Sequence, residues 1–187
     1  MYNYTERHDS QDIIGKGLIM KKATKDVVEV IGAFVAAYFF YHVLIAVTGT
    51  SLPLVSVVSG SMYHQDRFDA WWQGQENIYS GFGITKEQFL ASGQPSGLSV
   101  GDLIFAVHDP NPHVGDIIIF QKPGSAESII HRVVKINDDG TLQTKGDNNN
   151  GQLGFETGIK KEQLLGRAVA VIPIMGYPRL VLFWLGI

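Results

Sequence analysis

The stretch from residue 100 to residue 121, VGDLIFAVHDPNPHVGDIIIFQ, says nearly the same thing twice. Each half opens on Gly-Asp, at 101–102 and 115–116, and runs on as an apolar, β-branched segment. Between them lies HDPNPH, whose prolines and Asn mark a loop. β-branched and aromatic runs bounded by Gly and Pro are the pattern of strands, so this segment sets a β fold. Its neighbours agree. LVSVV (54–58) reads as a strand that stops at the Gly60 turn, and SIIHRVVKI (128–136) as a further strand. Asp139-Gly140 and the 147–151 stretch are turn signals that make NDDGTLQTKGDNNNG hairpin-like. GRAVAVIPI (166–174) looks like a closing strand. Short strands with Gly-rich turns predict a mainly β domain, a sandwich or partly open barrel.

Three segments lie outside that pattern. Val27–Val47 holds one acid, Glu29, and one His, His42; everything else is apolar, aromatic, Ala or Gly. A hydrocarbon core about 30 Å thick needs roughly 20 helical residues to cross it, so 27–47 is predicted to be a transmembrane helix. Arg7, Lys16, Lys21, Lys22 and Lys25 precede it, and no Lys or Arg follows until Arg67. The bias of basic residues toward the cytoplasmic side then makes residues 1–26 a cytoplasmic tail and puts the rest of this single-pass cell-membrane protein outside. Residues 62–98, rich in aromatics, form an insertion of mixed character. ITKEQFLAS (84–92) is its helical part, with Thr85 as cap. Its tryptophans either rest at the bilayer surface or pack inside. Residues 176–187 are apolar but too short to span alone; they dock on the membrane or begin a second span.

Composition narrows the function classes. The 187 residues carry a net charge of −3 and no basic stripe, which argues against a nucleic-acid partner. With no cysteine there is no disulfide, thiolate metal site or cysteine nucleophile. His108, Asp109 and His113 stand close together, but their spacing fits no zinc pattern, so no metal is expected. A catalytic serine needs a base and an oxyanion site. The Ser-Gly-Ser-Met of residues 59–62 fits neither G-x-S-x-G nor S-x-x-K. Of the six His residues, His131 alone sits inside a strand, flanked by apolar residues, where a structural role is the commoner one.

SGSM behind a span, paired GD strands, IIHRVV and TKGDNN, in that order, resemble the motif set of type I signal peptidases. The likeness is greatest to the archaeal and endoplasmic-reticulum branch, which has His where bacterial members have Lys. It covers roughly residues 27–175, less the insertion. The resemblance implies a catalytic β-domain built from 52–61 and 99–175. In it Ser61 is the nucleophile and His131 the general base, and Ser59 with the Ser61 N–H serves the oxyanion. It implies a membrane-bound serine endopeptidase that cleaves signal peptides from exported preproteins, near the secretion translocon, with no cofactor. The pattern departs in two places. YHQ follows Met62 where the family has Pro nearby. The usual third acid, six residues beyond the GD aspartate, falls on Leu153. Asp147 is the expected orienting acid, with Glu156 as the alternative. A catalytically silent, membrane-tethered peptide-binding scaffold of a secretion complex is the rival reading, and Leu153 is its main support. A related membrane protease acting on other exported proteins is a third.

Overall fold

The computed structural model describes residues 5–65, 67–125 and 127–185, though not the side chains of residues 5–21, 23, 182 and 183. The first four residues of the expected tail and the last two of the C-terminal segment therefore lie outside the described residues. The chain divides into two units, residues 1–44 and 45–187.

Most of the first unit belongs to one helix, α1 (Thr5–Thr48). Thr24–Thr48, 25 residues, is the one described helical segment long and apolar enough to cross a membrane. At about 1.5 Å per residue it reaches roughly 37 Å, more than a hydrocarbon core of about 30 Å requires. Phe34, Tyr38, Phe39 and Phe40 are all exposed. The acid that stood out in the sequence has a partner one turn away, Lys25 at 3.6 Å from Glu29. Gly49 ends α1 with φ +68°, its N–H donating to Ile45 O at 2.9 Å, a left-handed cap that glycine adopts without a Cβ penalty.

The second unit is built on one antiparallel sheet. Its strands are β1 (Leu54–Ser56), β2 (Leu103–Val107), β3 (Ile117–Gln121), β4 (Ser128–Ile136), β5 (Leu142–Lys145) and β6 (Leu164–Ile172). Their order is β1-β2-β6-β3-β4-β5, so β6 returns to the middle and β3 is flanked on both sides. The fold is thus mainly β, as the sequence predicts. β3 explains its own unbroken apolar run. Ile117 and Ile119 pack in one buried cluster with Met62 and Ile104, while Ile118 and Phe120 pack in another with Val133 and Leu142. A strand covered on both faces has no polar positions to alternate with.

The doubled Gly-Asp phrase has a geometric origin. Gly101 and Gly115 sit at φ +92° and +99°. The aspartate after each folds back, Asp102 accepting from the Ser99 N–H and Asp116 from the His113 N–H, both at 2.8 Å. A Cβ on Gly101 would stand 2.2 Å from the Tyr177 ring, and one on Gly115 2.6 Å from Ser92 Cβ. Each phrase is a tight turn that launches a strand against a close neighbour.

The insertion is helical over more of its length than its sequence suggests: α2 (Phe68–Gly81) and α3 (Lys86–Ala91). Thr85 caps α3 as expected, its Oγ1 accepting from the Gln88 N–H while Gln88 answers to the Thr85 N–H. Of the two fates open to the tryptophans, packing is the outcome. Trp71 and Trp72 are 7% and 3% exposed and cluster with Tyr79 and Phe89 against Val134 of β4. At the C-terminus α4 (Tyr177–Trp184) is a short helix with Leu180 buried and Trp184 exposed.

Candidate active site

Alternation along a strand sends His131 and Arg132 of β4 to opposite faces. In register, Arg132 faces Lys145 of β5 and Val133 faces Thr144. The β4–β5 pair therefore carries two polar clusters, one on each side.

On the first side, Ser61 follows β1 in the turn at Gly60, where the Tyr63 N–H donates to Gly60 O. His131 Nε2 lies 3.0 Å from Ser61 Oγ. His131 Nδ1 lies 2.5 Å from Glu156 Oε1. A carboxylate only accepts, so Nδ1 carries the proton and Nε2 is left as the acceptor for the Ser61 hydroxyl. His131 is 3% exposed and Glu156 is fully buried. Thr144 Oγ1 donates to Glu156 Oε1 at 3.1 Å and the Leu153 N–H to Oε2 at 2.6 Å, so the buried carboxylate is well supplied with donors. Ser59 Oγ stands 3.2 Å from Ser61 Oγ. A side chain at Gly146 would collide with His131, since its Cβ would lie 2.7 Å from Nε2.

On the second side stands Asp147, and here the sequence expectation is corrected. Asp147 does not touch His131. Its carboxylate is fully buried against Arg132, which gives it Nη2 at 2.7 Å and Nε at 3.0 Å. His64 Nε2 lies 2.9 Å from Oδ2 and the Tyr79 hydroxyl donates to Oδ1 at 2.7 Å. The acid facing the imidazole is Glu156. The reason is local. Leu153, where an acid was sought, starts one turn of 3₁₀ helix (Gly154–Glu156), and that turn brings the Glu156 carboxylate back over the Leu153 N–H toward the sheet.

Sequence reading missed the second cluster altogether. Arg132 is fully buried, which is tolerable only because its donors are occupied. Beyond Asp147 it donates to the carbonyls of Gly93, Gly115 and Gln94 and to Ser92 Oγ. Three of those four acceptors lie on the insertion, so this guanidinium ties it to β4. His64, in the unexplained YHQ, stacks on Trp71 with ring centroids 3.6 Å apart while it holds Asp147. A buried Arg in an apolar strand next to the candidate base was the available signal, because Arg is almost never buried without a partner.

Burial alone pushes the Asp147 carboxyl up, but the Arg132 charge and the hydrogen bonds from His64 and Arg132 prevail and hold it well below its ordinary 3.8. Burial pulls Lys145 down to about 8 from 10.5, against the opposing pull of Asp147 and Glu156. Both shifts translate into stability. A depressed Asp147 contributes stability that is full above 3.8 and is lost as pH falls below it, when the unfolded chain takes up the proton first. For Lys145 the unfolded chain holds more protons between about 8 and 10.5, so stability rises with pH across that window. Urea midpoints measured against pH should show an acid-side fall that Asp147→Asn flattens. An acid limb of the same slope in that variant would reject Asp147 as its source.

Ser61, Ser59, His131, Met62 and the 148–153 loop line one groove, open along the start of β4 at Glu127–Ile130. β5 pairs with β4 only from Arg132 onward, so residues 128–131 have β3 on one side and the groove on the other.

No family model matches the chain. Among curated proteins, it is 26% identical over 159 residues to the signal peptidase complex catalytic subunit SEC11 of Plasmodium falciparum, covering 80% of this chain and 69% of that one. It is 26% identical over 162 residues to the catalytic subunit SEC11C of Homo sapiens, covering 79% and 66%. Its identity to sec11 of Dictyostelium discoideum is 32% over 92 residues, covering 44% and 51%. The chain thus spans about half the length of the last protein and about two thirds of the other two. Over most of its length it is homologous to SEC11-type catalytic subunits, the endoplasmic-reticulum type of type I signal peptidase.

Proposed function

We propose that this chain is a membrane-anchored serine endopeptidase that removes signal peptides from exported preproteins. The observation that carries the reading is His131 standing between Ser61 Oγ and the Glu156 carboxylate, at 3.0 and 2.5 Å. Ser61 attacks the scissile carbonyl while Nε2 of His131 takes its proton. Glu156 keeps the other proton on Nδ1 and steadies the imidazolium that forms. The Ser61 N–H and the Ser59 hydroxyl receive the oxyanion. The imidazolium returns its proton to the leaving amine, and water, activated by the same base, hydrolyses the acyl-enzyme.

The substrate lies extended along the open start of β4, pairing main chain with main chain. α1 holds the chain in the bilayer that also confines the signal peptide's apolar segment, which raises the frequency of encounter. The basic residues before residue 26 set its N-terminus in the cytoplasm and residues 52–61 and 99–175, the catalytic β-domain, outside. Other subunits of a signal peptidase complex are the natural partners, given the names of the relatives. The rival reading, a silent peptide-binding scaffold, draws on Leu153, and Glu156 supplies the acid missing there.

The test is direct. Membranes containing the full chain are mixed with a preprotein of known signal peptide, and the product's N-terminus is sequenced. A single cut just beyond the apolar segment is expected. A folded, membrane-inserted chain that leaves the preprotein intact would reject the endopeptidase reading.

A further inference from the structure

One residue outside the Ser61–His131–Glu156 set holds the nucleophile's own backbone. Asn148 donates twice to the turn that carries Ser61: its N–H to Ser61 O at 2.7 Å, and its side-chain Nδ2 to Gly60 O at 3.1 Å. The second bond matters for chemistry. In a trans peptide the carbonyl and the N–H point in opposite directions, and the described chain has no cis bonds. Gly60 O accepts from the Tyr63 N–H of its own turn at 3.1 Å and from Asn148 Nδ2 at 3.1 Å, and the two together turn the Ser61 N–H the other way. Among the described residues that N–H donates no hydrogen bond, so it is free for a ligand.

We infer that Asn148 is a positioning residue, fixing the Gly60–Ser61 peptide so that the Ser61 N–H is already aimed at the oxyanion before substrate arrives. The inference rests on the endopeptidase reading above and adds to it a role for the insertion. Asn148 is itself exposed, yet the peptide before it is clamped from inside. Asp147 O accepts from Lys145 Nζ at 3.1 Å and from Trp71 Nε1 at 3.2 Å. Lys145 Nζ in turn is held by Gln75 Oε1 at 2.8 Å. Fixing Asp147 O inward aims the Asn148 N–H outward at Ser61 O, by the same trans geometry. Two residues of α2 thus reach the oxyanion site through the 147–148 peptide and the Asn148 side chain. A preorganised donor stabilises a transition state more than one that must turn to meet it, because no reorganisation accompanies the reaction.

The experiment uses the full chain in membranes and compares wild type, Asn148→Ala and Asn148→Asp. Asp removes the Nδ2 donor and sets a carboxylate against Gly60 O. Removing an oxyanion donor outright typically costs about 10²–10³-fold in kcat, so losing its support is expected to cost about 10–10²-fold in Asn148→Ala. Asn148→Asp should lose more. The loss should fall mainly on kcat, since the oxyanion forms only in the transition state; Asn148 also lines the groove, so a smaller rise in KM accompanies it. The pH profile of kcat should not move in Asn148→Ala, because His131 and Glu156 keep their partners and no charge is added. A peptide boronic acid, whose tetrahedral adduct with Ser61 bears an anionic oxygen, should weaken by the same factor as kcat. Thermal melting, followed in parallel, separates misfolding from mispositioning. Unchanged kcat in Asn148→Ala, a loss confined to KM, or boronate affinity that holds while kcat falls would each overturn the inference. If instead Ser61→Ala cleaves as fast as wild type, Ser61 is not the nucleophile, and the serine mechanism fails together with this inference.

Discussion

Replacing either Ser61 or His131 by Ala is expected to lower kcat by about 10⁶-fold, and the double variant should be no worse than either single one. On the proposed mechanism the two side chains act as one device. A serine hydroxyl attacks poorly until a base takes its proton, and a base with nothing to deprotonate does nothing for the acyl transfer. Their contact, Nε2 to Oγ at 3.0 Å, is already within the range of a hydrogen bond poised for transfer. What survives in each variant is the residual rate supplied by the oxyanion donors and by substrate alignment, roughly 10³–10⁴-fold over water in related chemistry. Single-turnover cleavage of a preprotein measures this. Losses that multiply in the double variant would show two independent contributions and contradict the dyad. His131→Ala with near wild-type kcat would remove the base from the mechanism.

The second large effect separates the two acids. Glu156→Gln keeps the size of the side chain but can offer an amide N–H to Nδ1. The imidazole then takes the opposite tautomer and presents Nε2–H to Ser61, so it cannot accept the proton. The expected cost is about 10⁴-fold in kcat. Melting should change little, since a neutral amide replaces a buried carboxylate. Asp147→Asn is expected to do the reverse. It leaves the fully buried Arg132 guanidinium without its counter-charge, and breaking such a pair typically costs about 3–5 kcal/mol of stability. The folded fraction should retain kcat within several-fold. Thermal or urea unfolding alongside single-turnover kinetics gives both readings from one preparation of each variant. A kinetic loss in Asp147→Asn at full stability, with Glu156→Gln unaffected, would return the orienting role to Asp147.

Lys145 and Arg132 show why a local reading of the chain stops short. Each looks like an ordinary basic residue of a strand, Arg132 in the middle of β4 and Lys145 at the end of β5. They face the same side because β4 and β5 pair Arg132 with Lys145, and register is a property of two strands. The same holds for His64, which looks like a turn residue yet stacks on Trp71 and holds Asp147 across 83 positions of sequence. The tail of the motif misled for a different reason. Spacing from the Gly-Asp aspartate pointed at Leu153, whereas the carboxylate that reaches His131 comes three residues later, because one 3₁₀ turn reverses its direction.

The sequence by itself determined the elements whose signal is local. The apolar run of α1, the doubled Gly-Asp turns with their strands, the β4 segment carrying His131 and the Ser-Gly-Ser turn were all legible, because periodicity, β-branching and glycine act within a few residues. It also named Ser61 and His131 together, through an ordered motif set. Only the tertiary structure decided which acid meets the imidazole, why the insertion is there, and where its tryptophans go. Those depend on which face of one strand meets which face of another, and on burying a charged pair that no neighbouring residue could reveal.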